Sequence, residues 1–349
     1  MARQTHSKEE LRKRNLIYSF ILFGLIGAVW LYRNVISPEK PTHFYVKGIT
    51  MGVVPYNVKY IDEESRDFRE PIDDLLVAFN QSLSTYIPDS EISTFNKSNE
   101  FNFTSNFFYP VLVRGEEIYK ETKGAFDPTI QPLVNRWGFG PEEEDKIPTQ
   151  AEVDSLKELV NYSKIHFDKK GVKKDDPRMQ LDFSAIAKGY AVDLVADLLR
   201  EEGINNFMVE IGGELVCGGI NEKGKPWLIG IDNPEAKGAQ DGIAYVRISD
   251  KALATSGNYR NFYEKDGKKY WHTIDPRTGY PAKSNMISAS VITNDCMSAD
   301  SYATAFMVMG FEEAKALVEK NKDLEAILIY DNNGELGVYT SNGAKAMMK

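Results

Sequence analysis

The chain has 349 residues, with 42 lysines and arginines against 51 aspartates and glutamates and a formal charge of −9 at pH 7. A hydrophobic share of 42% excludes a disordered chain, and the acidic balance excludes a basic nucleic-acid binder. Only two cysteines are present, Cys217 and Cys296, without a C-x-x-C pair, which excludes a disulfide framework or zinc cluster and makes both small core residues.

The first 33 residues differ from the rest. Residues 1–15 read as a cytoplasmic basic segment, in which Arg3, Lys8, Arg12, Lys13 and Arg14 outnumber Glu9 and Glu10. Leu16–Tyr32 is an uncharged run. At about 1.5 Å per residue it crosses most of a bilayer core of about 30 Å. Positive charge before the run, against Arg33 alone directly after it, orients the N-terminus to the cytoplasm and the remainder outside. A cleavable signal peptide is the alternative; the length of the run and the lack of a clear small-x-small site favour an uncleaved anchor. Residues 33–47, with Pro38 and Pro41 and no periodicity, read as a tether, and 48–349 as one exported domain. The expected location is therefore the cytoplasmic (inner) membrane, single-pass, with the domain on the extracytoplasmic (periplasmic) side. Residues 1–33 hold six basic and two acidic side chains, so 36 basic face 49 acidic residues in the remainder, a charge of −13.

Periodicity predicts a helix around Ile72, Leu75, Leu76 and Phe79, with Pro71 in its first turn. Thr149 and Glu152 predict a capping box that opens a helix carrying Val153, Leu156, Leu159 and Val160. Ser184–Glu202 is the longest periodic stretch and stops at Gly203. Predicted strands are Asn206–Ile211, ending at Gly212-Gly213, then Trp227–Ile231, Ile243–Ile248, Ile287–Thr293 and Ala326–Tyr330, the last joined to Glu335–Thr340 by a hairpin. Helices are predicted over Ser298–Met309 and Phe311–Asn321, separated near Gly310. Strands and helices mix without strict βαβ alternation, which predicts the α+β class.

Four clusters of glycine, small hydroxyls and polar groups lie at loops or helix starts, where phosphate and metal chemistry is housed. Gly124-Ala125-Phe126-Asp127-Pro128-Thr129 offers a ring and backbone amides together, or is a plain proline turn. Leu181-Asp182-Phe183-Ser184-Ala185-Ile186-Ala187-Lys188-Gly189 sets an acid and a hydroxyl at a helix mouth, with Lys188 one turn inside, a place that favours an anion; a simple Ser cap is the alternative. Glu210-Ile211-Gly212-Gly213-Glu214 ends a strand in two glycines, either for close backbone approach to a ligand or for a tight turn. Ala254-Thr255-Ser256-Gly257-Asn258-Tyr259 precedes Trp271-His272-Thr273-Ile274-Asp275-Pro276-Arg277-Thr278-Gly279-Tyr280-Pro281, where turn formers fix His272 as a functional or a structural histidine. In Met297-Ser298-Ala299-Asp300-Ser301-Tyr302-Ala303-Thr304-Ala305, Asp300 and Thr304 are one turn apart and share a helical face. They are hard oxygen donors of the kind Mg²⁺ accepts when substrate phosphates supply the rest, unless Asp300 is structural.

Taken in order, and together with Met51-Gly52, Leu83-Ser84-Thr85-Tyr86 and Ser90-Glu91-Ile92-Ser93, these elements resemble the FAD:protein FMN transferase (ApbE) family from about Met51 to the C-terminus. The resemblance implies an α+β, T-fold-like architecture with FAD in the cleft between its parts. It implies that the FAD pyrophosphate is split, FMN passing through a phosphoester to a Thr or Ser of another protein and AMP leaving. Carried over residue by residue, it assigns FAD contacts to Met51, Tyr86, Ala125, Phe126, Asp127, Asp182, Lys188, His272 and Ile274. It assigns the metal to Asp300, Thr304 and the Ala185 carbonyl. Family acceptors carry a D-x-x-[ST]-G-A-T-like motif that has no full match here, so modification is expected in trans. Subunits of membrane redox complexes, of the Na⁺-translocating NADH:quinone reductase and Rnf types, are the expected acceptors, and no nucleic acid is expected.

A pyrophosphate carries dense negative charge, which Mg²⁺ neutralises as a Lewis acid. His272 is then the candidate general base for the acceptor hydroxyl, with Asp300, Asp182 or no protein group as alternatives. Tyr86 reads as a lid over the isoalloxazine or as a core tyrosine. Two other functions use the same residues: a Mg²⁺-dependent FAD pyrophosphatase giving FMN and AMP, and a non-catalytic extracytoplasmic flavin-binding protein. The presence of both Asp300 and Thr304 favours catalysis.

Overall fold

The computed structural model describes residues 8–31, 41–140, 147–232, 242–258, 262–265, 268–271 and 273–349. The N-terminal helix Lys8–Leu31 runs unbroken from the basic segment through the apolar run, and every side chain from Leu11 to Leu31 is exposed. It is long and apolar enough to cross a membrane, a property shared by an anchor and a signal sequence. Tyr32, the last residue of the expected span, lies outside the described residues.

The folded domain is built on an eight-stranded sheet whose spatial order follows the chain: Thr42–Thr50, Val54–Asp62, Phe207–Ile211, Glu214–Gly218, Lys251–Gly257, Met286–Thr293, Glu325–Asn332 and Glu335–Thr340. From the second strand onward each neighbouring pair is antiparallel. Most other described elements of the domain are inserted between these strands, and the helix Asn342–Met347 follows the last of them. The tether expected over 33–47 is shorter than its sequence suggested, because the edge strand begins at Thr42. The chain there alternates Phe44 and Val46 inward with Tyr45 and Lys47 outward, the period of a half-buried strand.

The longest insertion, between the second and third strands, holds the helices Arg69–Leu83, Glu91–Lys97, Phe108–Glu121 and Ala187–Glu201 and a three-stranded sheet, Glu100–Asn102, Gly171–Lys174 and Ile165–Phe167. The Arg69–Leu83 and Ala187–Glu201 helices join Cys296–Met309 on one face of the main sheet, where Phe79, Ile186, Val192, Val195, Phe207, Val209, Ile211 and Phe306 form the principal core. On the other face the Trp227–Asp232 and Gly242–Ile248 hairpin covers Leu215, Cys217, Leu253, Ile292 and Ile327 in a second, smaller core. Cys217 and Cys296 are both buried, as their sequence context suggested.

The expected helices and strands appear with their ends shifted by a few residues, and the capping box at Thr149 and Glu152 forms. Ser184–Glu202 differs most. The helix begins at Ala187, because Asp182 accepts the Ser184 amide and hydroxyl at 2.7 and 2.5 Å and holds 182–184 in a local turn instead of the first helical turn. Gly310, with φ +80°, breaks Cys296–Met309 from Phe311–Lys320 as expected.

Candidate active site

Asn96 clamps the backbone of Leu181 from both sides, donating from Nδ2 to its carbonyl at 2.9 Å and accepting its amide at 2.7 Å. The next amide, Asp182, donates to the Pro128 carbonyl at 2.8 Å, joining the aspartate turn to the Gly124–Thr129 turn. Burial raises the Asp182 pKa against the opposing bonds from Ser184. Tyr86 is 67% exposed, which excludes the core alternative; reduced solvation and the charge of Asp182 raise its hydroxyl pKa.

In the Gly124–Thr129 turn, Lys123 and Gly124 take φ of 53° and 80°, which carry the chain into the buried residues Ala125 and Phe126. Asp127 faces inward. Its Oδ1 accepts the Thr129 amide and hydroxyl at 2.9 and 2.6 Å and its Oδ2 the Tyr162 amide at 3.2 Å, while burial lifts its pKa to about 6. This carboxylate shapes the turn, and what the turn presents to a ligand is backbone. Met51 lies in the turn between the first two strands with φ 48°, next to Gly52 at φ 80°.

The densest polar constellation sits where the Ala187–Glu201 helix begins. Lys188 Nζ lies 3.3 Å from Asp300 Oδ1 and 3.1 Å from Glu214 Oε1. Asp300, 1% exposed, also accepts the Gly189 amide on Oδ2 at 3.1 Å. That amide, in an unbroken α-helix, would point to the carbonyl of Ala185. Asp300 thus satisfies one of the helix's N-terminal amide donors. Close helix packing makes this reach possible: a Cβ on Gly189 would lie 2.1 Å from the Cys296 carbonyl oxygen and 2.9 Å from Asp300 Cβ. Between the two carboxylates the Lys188 pKa is raised despite its own burial. Burial pushes the Glu214 carboxyl up, against the attraction of Lys188. Thr304, one turn beyond Asp300, has its hydroxyl 3.2 Å from Ser256 Oγ.

The fold therefore joins three separate motifs, around Lys188, Glu214 and Asp300, and a fourth through Ser256. It puts Ile274 in a different cluster, with Leu133, Trp137 and Val153. There Asp275 accepts the Arg277 guanidinium at 3.0 and 3.1 Å, and Trp137 Nε1 donates to the Gly279 carbonyl at 2.9 Å. His272 lies outside the described residues. The sequence placed Glu214 and Gly189 in candidate clusters without a role for either, and gave no sign of Asp193, whose carboxylate accepts the Cys296 and Met297 amides at 2.8 Å each. The donors assigned to a metal are the buried Asp300 carboxylate, the Thr304 hydroxyl and the Ala185 backbone carbonyl. These are hard oxygens of the kind that would hold Mg²⁺. No cluster of three His, Cys, Asp or Glu occurs among the described residues, which sets this donor set apart from that of zinc.

Known proteins share this architecture and sequence. The profile of the ApbE family matches residues 51–328. The chain is 39% identical over 320 residues to the FAD:protein FMN transferase of Vibrio cholerae, covering 89% of this chain and 94% of the relative. It is 36% identical to the protein of that name from Escherichia coli, covering 89% and 92%. Among solved structures, the flavin transferase ApbE from Vibrio cholerae superposes with a TM-score of 0.80 at 37% identity, covering 88% of this chain and 99% of that one. The apo flavinyl transferase ApbE of Pseudomonas stutzeri gives 0.80 at 30% identity, covering 88% and 98%. The chain belongs to the ApbE family.

Proposed function

We propose that this chain is an FAD:protein FMN transferase. The observation that carries the reading is the meeting of Lys188, Glu214 and Asp300 at a helix N-terminus, in a chain whose relatives bear that name over nearly their whole length. FAD is the substrate. The hydroxyl oxygen of an acceptor Thr or Ser attacks the FMN-side phosphorus, the bond from that phosphorus to the bridging oxygen breaks, and AMP leaves with the bridging oxygen on its phosphate. FMN remains on the acceptor as a phosphoester, and the hydroxyl proton passes to a base, which we assign to His272.

Lys188 and the exposed amides of the helix start oppose the charge of the diphosphate. Asp300, the Thr304 hydroxyl and the Ala185 carbonyl hold Mg²⁺, which when bound supplies Lewis-acid neutralisation of the phosphate oxygens. We assign the FAD contacts to Met51, the backbone of the Ala125–Asp127 turn, Asp182 and, from its separate cluster, Ile274. Tyr86, exposed beside Asp182, stacks on the isoalloxazine and excludes water, which favours transfer over hydrolysis.

The apolar Lys8–Leu31 helix is an uncleaved anchor, with the basic N-terminus in the cytoplasm and the domain on the periplasmic side of the inner membrane. The domain then faces acceptors among membrane redox complex subunits that carry a D-x-x-[ST]-G-A-T-like motif. The test is a product balance with the full-length protein in detergent. AMP should form with Mg²⁺ only when an acceptor is supplied, without a matching quantity of free FMN. AMP and FMN in equal amounts without an acceptor would make the chain a pyrophosphatase.

A further inference from the structure

Lys188 is held by two carboxylates, and only one of them belongs to the proposed metal set. Glu214 is 5% exposed; its Oε1 takes the Lys188 ammonium at 3.1 Å, while its Oε2 is buried with no hydrogen-bond partner among the described residues. An orphaned carboxylate oxygen beside a shared cation is costly unless the cation is sometimes held more fully. The turn before it keeps the space clear. A Cβ on Gly212, whose φ is +61°, would stand 2.7 Å from Val54 Cγ1, 3.6 Å from Lys188 Cδ and 3.7 Å from Glu214 Oε2.

We propose that Glu214 is a positioning residue that receives the Lys188 ammonium when a divalent cation occupies Asp300. The inference rests on the reading of Asp300 as a metal ligand. Its physical basis is local charge. The Lys188 ammonium lies 3.3 Å from Asp300 Oδ1, so it competes with any cation for that carboxylate. A divalent ion at Asp300 repels the ammonium, and more strongly than a single unit charge would. Glu214 is the ammonium's second carboxylate partner, already in contact with it through Oε1 at 3.1 Å and with Oε2 lacking a hydrogen-bond partner among the described residues. Lys188 therefore leaves Asp300 without entering solvent, and its charge stays at the helix start where the diphosphate is held. Glu214 acts through Lys188 and does not touch the metal.

The test is direct titration of Mg²⁺ into full-length protein in detergent without FAD, followed by calorimetry, in a double-mutant cycle. Glu214→Gln should weaken Mg²⁺ binding about tenfold, because Lys188 then has Asp300 as its one remaining charged partner in this cluster. In a Lys188→Met background the same substitution should change affinity less than twofold. Glu214→Asp, which keeps the charge, should recover part of the loss, and it carries the cycle if circular dichroism shows the Gln variant unfolded. Unchanged affinity in Glu214→Gln, or an equal loss in the Lys188→Met background, would overturn the proposal; the second result would make Glu214 a metal ligand. A wild-type chain that binds no Mg²⁺ overturns the metal assignment of Asp300 and this inference with it.

Discussion

Asp193 and Asp300 cap one another's helices. Asp193, on Ala187–Glu201, accepts the Cys296 and Met297 amides at 2.8 Å each, the first two of Cys296–Met309; Asp300, on that second helix, returns a bond to the Gly189 amide of the first at 3.1 Å. The two helices that hold Lys188, Asp300 and Thr304 are locked in register by carboxylates on both sides. One of these is also the proposed metal ligand.

Removing the other should loosen the site without touching it. Asp193→Ala leaves two buried amides unpaired and should cost about 2 kcal/mol or more of stability. Its pH dependence has a definite sign. Burial raises the Asp193 pKa to about 7, so the folded chain holds this proton where the unfolded chain has released it. The stability from that proton is complete below about pH 4 and is lost as pH rises through 7, by at most about 1.4 kcal/mol per pH unit. In urea unfolding at pH 5 and pH 8, wild type should therefore lose more stability with rising pH than Asp193→Asn does.

Gly189→Ala tests the helix contact itself. The added methyl would meet the Cys296 carbonyl at 2.1 Å, a backbone atom that cannot rotate away. We expect a loss of about 1–3 kcal/mol in thermal unfolding and weaker Mg²⁺ binding, since Asp300 shifts with its helix. An unchanged melting temperature would show that the helices are less closely packed than described here.

Much of the frame was legible in local sequence. The Thr149–Glu152 capping box and the strand Glu335–Thr340 have the expected form, because each rests on nearby residues alone. The first two strands were hidden for an equally local reason. Gly48 interrupts the apolar alternation, and the Tyr56 ring fills its place, 2.5 Å from where a Cβ would stand. Met51-Gly52 then stood out as a motif while the hairpin around it did not. Glu214 shows the limit better. Glu210 and Glu214 stand on either side of the glycine pair in sequence, but strand register separates them. Ile211 pairs with Glu214, so Glu214 lies on the face of the principal core, whereas Glu210, paired with Leu215, lies on the opposite face and accepts from Asn57 Nδ2 and the Gly213 amide at 2.6 and 2.7 Å. That choice of face depends on the third and fourth strands together with a helix start. No spacing within the motif encodes it.

Asp300→Asn preserves shape while removing charge. We expect the variant to fold and bind FAD, with turnover lowered by at least about a hundredfold. Equilibrium dialysis of FAD, together with AMP formation, checks both halves. Unchanged turnover would remove Asp300 from the metal set.

For His272→Ala we expect FAD binding close to that of wild type and loss of transfer, with the residual rate rising with pH as hydroxide replaces the missing base. Full transfer by this variant at neutral pH would remove its role as the base.

The most direct test is intact-mass analysis of an acceptor protein carrying the D-x-x-[ST]-G-A-T motif after incubation with the full-length chain, FAD and Mg²⁺. The account expects the acceptor to gain the mass of one FMN less one water, dependent on both FAD and Mg²⁺, with the modified residue the Thr or Ser of the motif. An acceptor of unchanged mass, with FAD either intact or split to free FMN and AMP, would contradict it.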